Sequence, residues 1–384
     1  MQQFNRPLVS VILPSYNHEK HVGLAIRSVL SQSFRDYEFL ISDDHSTDKT
    51  LDVIQMYHDD RIQLHVFSEN QGATINHKYL IDIANGKYVA LINSDDVWLP
   101  NKLEKQVAYL EAHDECACCF SFAEIIDEDG HKLDIYHDVF EKGNRTQAEW
   151  FALFFHNGNC LCHPSMLIRT EIYHNLGVYN LSLRQLPDFD MWIRLIKHYN
   201  IYIFQEPLVQ HRRFVSSGTN TSSPTMRNSM RDAMEAYYIL SKYFNDVSDE
   251  FFSEAFGKEF RKTGDLTHNE LCCEKFFLLL DAKFYIPQVS LLAAINYFFE
   301  VYSQDSICNT FRDSYNFRMA DFHAISCKVD LLGILSQNSN SDCYFDNQIK
   351  SNPLTIILKK LFKRFLGGSS KIYLLCKKLY YKQL

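Results

Sequence analysis

The sequence lacks an apolar run long enough to cross a membrane. The early run Leu8 to Leu13 is short and leads into a turn, and the later stretch Phe276 to Phe299 is interrupted by Asp281, Lys283 and Pro287. A membrane-spanning helix needs about 20 consecutive apolar residues, and a signal peptide needs a longer apolar core than the early run. We therefore expect a cytoplasmic protein, which stays on the inner face of a membrane if it meets one.

The main part of the chain also lacks an excess of basic residues. The formal net charge is −8, but residues 351–384 hold eight Lys and Arg and no acid, so subtracting that +8 leaves −16 for residues 1–350. An acidic surface excludes a nucleic-acid groove, whereas a basic tail indicates an anionic surface as its partner.

Cysteine is present without the spacing of a typical zinc site. The chain has 11 Cys, an odd number, and several lie in one predicted strand, but two separate C-x-x-C pairs are missing. This usage favours reduced thiols in a cytoplasmic protein over a disulfide framework.

Short apolar runs alternate with helical patterns in the first third of the chain. The runs predict buried strands at Leu8 to Leu13, Tyr37 to Ile41, Ile62 to Phe67 and Tyr88 to Ile92. Strand and helix alternating at this spacing indicate a parallel sheet with right-handed crossovers.

The later pattern is less regular. Further strands are predicted at Cys116 to Ile126, Cys162 to Arg169 and Leu208 to Phe214, a helix is expected to start at Pro100, and residues 131–160 are expected to be irregular. We predict an α/β domain over residues 1–223, a helical domain over residues 224–350 and a basic amphipathic tail over residues 351–384. The boundary follows the Ser-rich and Thr-rich loop at residues 216–223.

Carboxylates follow two of the predicted strands. Asp43 and Asp44 end the second, and Asp95 and Asp96 end the fourth. The carboxyl edge of an open α/β sheet is where ligands bind, and adjacent carboxylates repel each other unless a cation or a hydrogen-bond donor offsets their charge. At this point the alternative, that each pair caps the following helix, stays open.

The tail pattern indicates a helix with one apolar face. Leu354, Ile357, Leu358 and Leu361 fall on that face, while the lysines lie off it. Such a helix can lie in the headgroup region of an anionic leaflet. A helix packed on the main domain with its lysines in water is the alternative.

Four local patterns occur in order: Pro14-x-Tyr16-Asn17; Asp43-Asp44-x-Ser46-x-Asp48-x-Thr50; Asn70-x-Gly72 with Ala84-x-Gly86; and Asn93-Ser94-Asp95-Asp96. As a set, over roughly residues 7–215, they resemble the family 2 glycosyltransferases. The resemblance implies an inverting enzyme of the GT-A fold: an α/β, Rossmann-like, mostly parallel sheet flanked by helices, here followed by a C-terminal helical region. It also implies a nucleotide-sugar donor, with uracil the usual base.

The resemblance implies the donor site residue by residue. Asp43 would accept a hydrogen bond from uracil, and Pro14, Tyr16 and Asn17 would line the base pocket. The chain has Asn93 where the family often has a first acid; a carboxamide can still form hydrogen bonds there.

The diphosphate side of the donor site follows in the same way. Asp95 would hold the ribose or share the metal, and Asp96 would ligate Mn²⁺ or Mg²⁺, which neutralises charge on the departing nucleotide. Lys78 and Arg212 are further candidates for the phosphates. Phe214 stands where the family commonly has His, so Arg212 or Arg213 is expected to supply a bidentate donor instead.

Inversion needs a single general base opposite the leaving group. The family supplies it from an acidic pair before a helix with Trp and Arg, and Pro187-Asp188-Phe189-Asp190 matches except for Pro187. We predict Asp188 as the base. Asp190 remains the competing candidate, and a helix cap remains the structural alternative for Asp188.

These patterns predict a metal-assisted inverting glycosyltransferase, of the bacterial surface-polysaccharide type, that moves a sugar to a glycan or lipid-linked acceptor. A non-catalytic scaffold that binds nucleotide-sugar or glycan is the alternative from another class. A nucleotidyltransferase is disfavoured, because residues 14–17 are unlike the Gly-rich basic loop that it would carry after the first strand.

Overall fold

The computed structural model describes residues 6–133, 137–214, 225–282, 284 and 286–328. The chain divides into two compact units, residues 1–319 and 320–384. Of the second unit, only residues 320–328 are described. The predicted tail helix and the loop at residues 216–223 lie outside the described residues. The predicted domain boundary near Ser223 stays a prediction.

Eight strands of the described residues form one mixed sheet in the order β3-β2-β1-β4-β7-β6-β8-β5. They are β1 (Val9–Ser15), β2 (Tyr37–Asp43), β3 (Ile62–Val66), β4 (Tyr88–Leu91), β5 (Val97–Trp98), β6 (Cys116–Ile126), β7 (Leu167–Arg169) and β8 (Asn200–Arg212). The first four are parallel, β7 is antiparallel to β4 and β6, and β8 is parallel to β6. The predicted α/β sheet flanked by helices is confirmed.

Helices connect and follow the strands. In the α/β part they are α1 (Val22–Leu30), α2 (Thr50–Gln55), α3 (Ala73–Asp82), α4 (Lys102–Ala112), α5 (His137–Phe140), α6 (Gln147–Asn157), α7 (Thr170–Leu176) and α8 (Pro187–Ile196). The helical region that follows contains α9 (Met226–Ser241), α10 (Asp249–Phe256), α11 (His268–Asp281), α12 (Pro287–Val301), α13 (Asp305–Tyr315) and α14 (Met319–Ser326). Among the residues described, no helix is both long and apolar enough to cross a bilayer.

The central strands are apolar because both faces of the sheet are covered. Every residue of β1, β2 and β4 is buried, which is typical of a parallel sheet between helices. The register places Ser15 beside Asp43 and Ile12 beside Leu91. The loops after β1, β2 and β4 therefore meet at one edge, which is where the sequence predicted the ligand.

Three predictions of local structure were wrong. Residues 131–160 contain α5 and α6, and α6 begins with a capping box in which Thr146 and Glu149 satisfy each other's backbone N–H. A 3₁₀ turn, His163–Ser165, replaces the first half of the predicted strand, because Pro164 has no N–H for a sheet. The helix expected at Pro100 begins at Lys102, after β5.

The helical region packs by aromatic contacts. Tyr243, just after α9, stacks on Phe151 of α6 with ring centroids 4.5 Å apart and donates a 2.6 Å hydrogen bond to the Phe151 carbonyl. Phe276 of α11 contacts Phe298 of α12 and Phe311 of α13. The end of α9 and helix α10 thus pack on α6.

Candidate active site

The loops after β1 and β2 are held together by side chains of the predicted base pocket. The buried Asp43 carboxylate accepts hydrogen bonds from the N–H and hydroxyl of Ser46, at 2.9 and 2.6 Å. The Ser46 hydroxyl in turn accepts the N–H of Asn17, which adopts a left-handed conformation with φ 52°. Tyr16 is 43% exposed beside them. The structure therefore brings Asp43, Tyr16 and Asn17 together, following Pro14 in β1.

Asp44 has a different task from its neighbour. Its carboxylate accepts the N–H groups of Gln71 and Gly72 at 2.7 and 2.9 Å, and its carbonyl accepts the side chain of Asn70. These bonds fix the loop before α3, where Gly72 has φ 90°, a conformation that favours glycine. Asp44 is thus a structural residue that orients α3 against the edge of the sheet.

Asp96 is the most constrained of the strand-end carboxylates. It accepts hydrogen bonds from His211 Nδ1 at 3.0 Å, the Arg212 N–H at 2.8 Å and the Asn93 side chain at 3.0 Å. Burial alone raises the pKa of Asp96, but the His211 charge and these hydrogen bonds hold it below the usual value. Asn93, which replaces an acid of the family pattern, serves here as a donor to Asp96.

The pKa of the neighbouring Asp95 is shifted in the opposite direction. Burial, and then the neighbouring Asp96 carboxylate, raises the pKa of Asp95, as expected for adjacent like charges. Carboxylate oxygens and an imidazole suit Mn²⁺, so Asp95, Asp96 and His211 fit a divalent ion by chemistry. A preformed group of three such ligands is absent from the part of the chain that the structure describes.

Two predicted phosphate ligands are engaged elsewhere. Arg212 is buried, and its guanidinium donates to the backbone carbonyls of Asp95, Asp127 and Glu128 at 2.7 to 3.0 Å. Lys78 lies on α3 and pairs with Asp82 one turn along. Their contacts with a diphosphate stay predictions, and for Arg212 this geometry does not support the prediction.

Phe214, at the position where the family commonly has His, joins an aromatic group with two residues of the first loop. It stacks on His18 with centroids 6.2 Å apart and meets His21 edge-on at 5.4 Å. His18 Nδ1 lies 2.7 Å from the Ser94 hydroxyl. The loop after β1 thus brings the His18 imidazole to Ser94, the residue before Asp95 and Asp96.

Asp188 lies in the first turn of α8, behind Pro187 at the first helical position. Its carboxylate accepts the Asn159 side chain at 2.7 Å and the N–H of Phe189 at 2.8 Å. Burial raises the pKa of Asp188, and these two hydrogen bonds oppose that rise. No basic side chain of the described residues forms an ion pair with it, so it can accept a proton without first losing a salt bridge.

Asp190 has surroundings of another kind. It forms an ion pair with Arg194 at 3.0 Å, and Arg194 also donates to the carbonyls of Leu176, Gly177 and Val178. Asp190 therefore anchors α8 to the turn after α7. Of the two acids that the sequence left in competition, the geometry favours Asp188 as the base.

Sequence reasoning missed the residues that support Asp188. Asn159, in the loop after α6, donates to it directly. Glu235 of α9 is buried and accepts the N–H groups of Arg184, Gln185 and Leu186, at 2.7 to 2.9 Å, which fixes the segment before α8. No local sequence signal identifies either partner, because both contacts join segments far apart in the chain.

His163 links the two halves of the site. Its Nε2 lies 2.7 Å from the Tyr179 hydroxyl, and its ring stacks on His77 of α3. Burial lowers the pKa of His163 to about 3; the Asp96 charge opposes this shift and the His211 charge adds to it. The Asp188 charge likewise opposes the lowering of the pKa of His77. The two histidines are half-buried, and His163 also meets Trp192 of α8 edge-on at 5.6 Å, so the pair joins α3 to α8.

Comparisons with known sequences give one consistent family. Residues 10–177 match the sequence profile described as Glycosyl transferase family 2. The chain is 34% identical over 212 residues to the putative teichuronic acid biosynthesis glycosyltransferase TuaG of Bacillus subtilis, covering 54% of this chain and 79% of TuaG. It is 28% identical over 194 residues to WfgD of Escherichia coli, covering 50% of this chain and 72% of WfgD. WfgD is described as a UDP-Glc:alpha-D-GlcNAc-diphosphoundecaprenol beta-1,3-glucosyltransferase.

Solved structures agree in fold. TarS of S. aureus superimposes with a TM-score of 0.53 at 15% identity, over 84% of this chain and 55% of TarS, so the chain spans about half of that protein. Residues 1–349 of TarS in complex with UDP-GlcNAc give a TM-score of 0.53 at 16% identity, over 80% of this chain and 92% of that one. The likeness at this identity concerns the fold.

Proposed function

Because the chain belongs to the family 2 glycosyltransferases, we propose that it moves a sugar from a UDP-sugar to a hydroxyl of a glycan or lipid-linked acceptor, with inversion. The observation that carries this proposal is the separation of two kinds of carboxylate. Asp95 and Asp96 sit at the sheet edge, while Asp188 stands apart with a raised pKa and no ion pair among the described residues. The pair Asp95 and Asp96 suits a leaving diphosphate with its cation, and Asp188 suits the role of general base.

The donor half rests on Asp43 and its neighbours. Asp43 and Tyr16 lie at the ends of β1 and β2, and Asp95 and Asp96 follow the neighbouring strand β4. In this proposal the base and ribose of the donor lie beside Asp43 and Tyr16. WfgD uses UDP-Glc, by its description, which supports a UDP-sugar for this chain.

The reaction then requires little of the protein beyond positioning and one proton transfer. Asp188 removes the proton of the acceptor hydroxyl as that oxygen attacks the anomeric carbon, and the bond to the nucleoside diphosphate breaks on the opposite face. A divalent ion held by Asp95, Asp96 and His211 would neutralise the charge on the departing diphosphate. Asn159 keeps Asp188 oriented during the transfer.

We assign the acceptor to surface-polysaccharide synthesis. TuaG is described as a teichuronic acid glycosyltransferase, and WfgD by its description acts on a lipid diphosphate. Residues 351–384, with eight basic residues and no acid, would hold the protein at the anionic inner face of the membrane. This agrees with a lipid-linked or growing glycan acceptor.

Thermal unfolding against a panel of UDP-, GDP-, dTDP- and CMP-sugars, with and without Mn²⁺, tests the donor half. A ligand that binds only the folded state raises the unfolding midpoint. We expect a UDP-sugar with Mn²⁺ to raise it, and Asp96→Ala to abolish the rise. Asp52→Ala, which removes an exposed acid of α2, is the matched control. If no nucleotide-sugar raises the midpoint of the unaltered protein, the donor-site proposal is wrong.

A further inference from the structure

His77 of α3 holds one fixed tautomer. Its Nδ1 lies 2.6 Å from the carbonyl oxygen of Ala73, one turn back along the helix. Because a carbonyl oxygen can only accept, Nδ1 carries the hydrogen, and a neutral ring then has an unprotonated Nε2. Burial, and then the His163 charge, lowers the pKa of His77 to about 4, so the ring is neutral at ordinary pH.

The Nε2 atom of His77 is buried and has no hydrogen-bond partner among the described residues. Buried polar atoms of folded proteins are nearly always paired, and one that is not calls for a ligand, a water or a role in the reaction. Its ring stacks on His163 at 5.7 Å and meets Tyr179 edge-on at 5.8 Å. The Tyr179 hydroxyl pairs with His163 Nε2 and not with His77.

The position of His77 on α3 brings it to the start of α8. Thr74 precedes it by three residues, so both side chains lie on one face of the helix. The Thr74 hydroxyl donates a 2.9 Å bond to the carbonyl of Leu183, in the segment that leads into α8. The His163 ring, on which His77 stacks, also meets Trp192 of α8 edge-on, with centroids 5.6 Å apart, while no hydrogen bond joins His77 to Asp188 in this structure.

Asp188 meets only hydrogen-bond donors in its ionised form. The Asn159 amide and the Phe189 N–H both favour the carboxylate. When Asp188 takes a proton it becomes a donor, and its new O–H needs an acceptor. Among the described residues the neutral His77 Nε2 is an acceptor without a donor, and it lies on a helix that is bonded to the segment leading to Asp188.

We propose that His77 is a positioning residue whose Nε2 accepts a hydrogen bond from the carboxyl group of Asp188 once Asp188 has taken the proton of the attacking hydroxyl. The acceptor O–H bond breaks as the new glycosidic bond forms, the proton stays on Asp188, and His77 keeps its own hydrogen on Nδ1. This inference rests on the proposed function, because it assigns Asp188 as the base. In this proposal His77 Nε2 has no hydrogen bond to Asp188 in the ground state and accepts one as the proton is transferred.

Two substitutions separate this role from packing. His77→Gln places an amide oxygen near the position of Nε2, and His77→Phe keeps an aromatic ring with no acceptor. His113→Phe is the matched control, since His113 makes the same bond to a carbonyl one turn back, Tyr109 at 2.8 Å, at the end of α4. Arg169 donates both to the His113 carbonyl and to the hydroxyl of Tyr88 at the start of β4, so His113 lies at the end of that strand opposite to Asp95 and Asp96.

The kinetic test follows nucleotide release from UDP-glucose and UDP-GlcNAc with Mn²⁺, with water as the acceptor. We expect His77→Phe to lower kcat by about tenfold or more with KM for the donor unchanged, because the lost bond forms only after proton transfer. His77→Gln should keep most of kcat, and His113→Phe should match the unaltered protein. Equal losses in His77→Phe and His77→Gln would overturn the inference.

A second measurement does not depend on turnover. The pKa of Asp188, followed through its carboxyl carbon by NMR and assigned with Asp188→Asn, should fall in His77→Phe and stay near its original value in His77→Gln. The reason is that the acceptor favours the protonated carboxyl. If the unaltered protein releases no nucleotide, the proposed function fails while this titration still decides the role of His77. An unchanged pKa of Asp188 in a folded His77→Phe protein would contradict the inference.

Discussion

Single residues of the same type have unlike roles here because their partners differ. Asp188 and Asp190 are two positions apart, yet one accepts amide donors and the other an arginine. Asp43 and Asp44 differ in the same way: Asp43 binds the loop after its own strand, and Asp44 binds the loop before α3. The sequence identified both acidic pairs as site candidates, but only their contacts show that the two members of each pair have different roles.

Lys102 shows how far burial can change one group. It is fully buried over the face of Trp98 at 4.1 Å, with the Gln106 side chain and the Met166 carbonyl as acceptors and no carboxylate partner among the described residues. Burial lowers the pKa of Lys102 to about 7. Since the unfolded state then binds more protons than the folded state above that pKa, stability rises with pH through this window.

We predict that Lys102→Met removes this pH dependence. Below about pH 7 the unaltered protein bears the full cost of a buried charge, and each pKa unit corresponds to about 1.4 kcal/mol. The free energy of unfolding of Lys102→Met relative to the unaltered protein should therefore fall by about 2–3 kcal/mol between about pH 7 and pH 9. Denaturant unfolding at both pH values measures it. A difference that does not change with pH would contradict the prediction.

At the scale of elements, the sequence identified those whose periodicity matches their burial. β1, β2, β4 and β6 were predicted within two residues, because their apolar runs end in polar turns. Helix α6 was missed because its apolar face is nearly all aromatic and large, although Thr146-x-x-Glu149 was a readable start signal. The structural role of Arg212 was not predictable, since its carbonyl partners are set by how β8 crosses the end of β4.

Gly86 controls the fit between β1 and the turn before β4. A Cβ there would lie 2.5 Å from the Ser10 nitrogen and 2.7 Å from the Val9 carbonyl carbon. We predict that Gly86→Ala lowers the free energy of unfolding by about 2 kcal/mol or more, because the backbone of two central strands has to shift. Gly143→Ala is the control, as no atom lies within 4 Å of its Cβ. Equal unfolding midpoints in the two variants would refute the predicted close fit.

The segment before α8 depends on α9 through Glu235. Glu235→Gln replaces one carboxylate oxygen with a donor that faces the N–H groups of residues 184–186, so the start of α8 should lose its fixed position. We expect a lower kcat with UDP binding retained, and a loss of about 1–3 kcal/mol of stability. Glu254→Gln, an exposed change on α10, is the control. Unaltered kcat in Glu235→Gln would show that α9 does not position Asp188.

For the whole molecule, the sheet supplies the proposed donor site and the following helices support Asp188, the proposed base. Glu235 and the contact of Tyr243 with α6 give residues after 225 a direct part in this arrangement. The sequence predicted these helices but not their purpose, because helical periodicity records which face is buried and not what covers it. The basic charge of residues 351–384 is read from composition alone, and their helix and membrane contact stay predictions.

Removing residues 351–384 tests the proposed membrane contact. Eight basic residues near an anionic leaflet contribute about 1 kcal/mol each, reduced by salt. We expect the full chain to bind vesicles with anionic lipid, the shortened chain to bind them weakly, and neither to bind neutral vesicles. Sedimentation with vesicles at low and high salt measures this. Equal binding by both chains would refute the assignment of the tail.

The most direct test of the central claim is nucleotide release from a UDP-sugar by Asp188→Asn and Asp190→Asn, compared with the unaltered protein. If Asp188 is the base, Asp188→Asn should lose about 10²–10⁴ in kcat while it still binds UDP, because a general base contributes about that factor. Asp190→Asn should keep turnover and lose stability, since it breaks the ion pair with Arg194. Full turnover by Asp188→Asn would contradict the proposed mechanism.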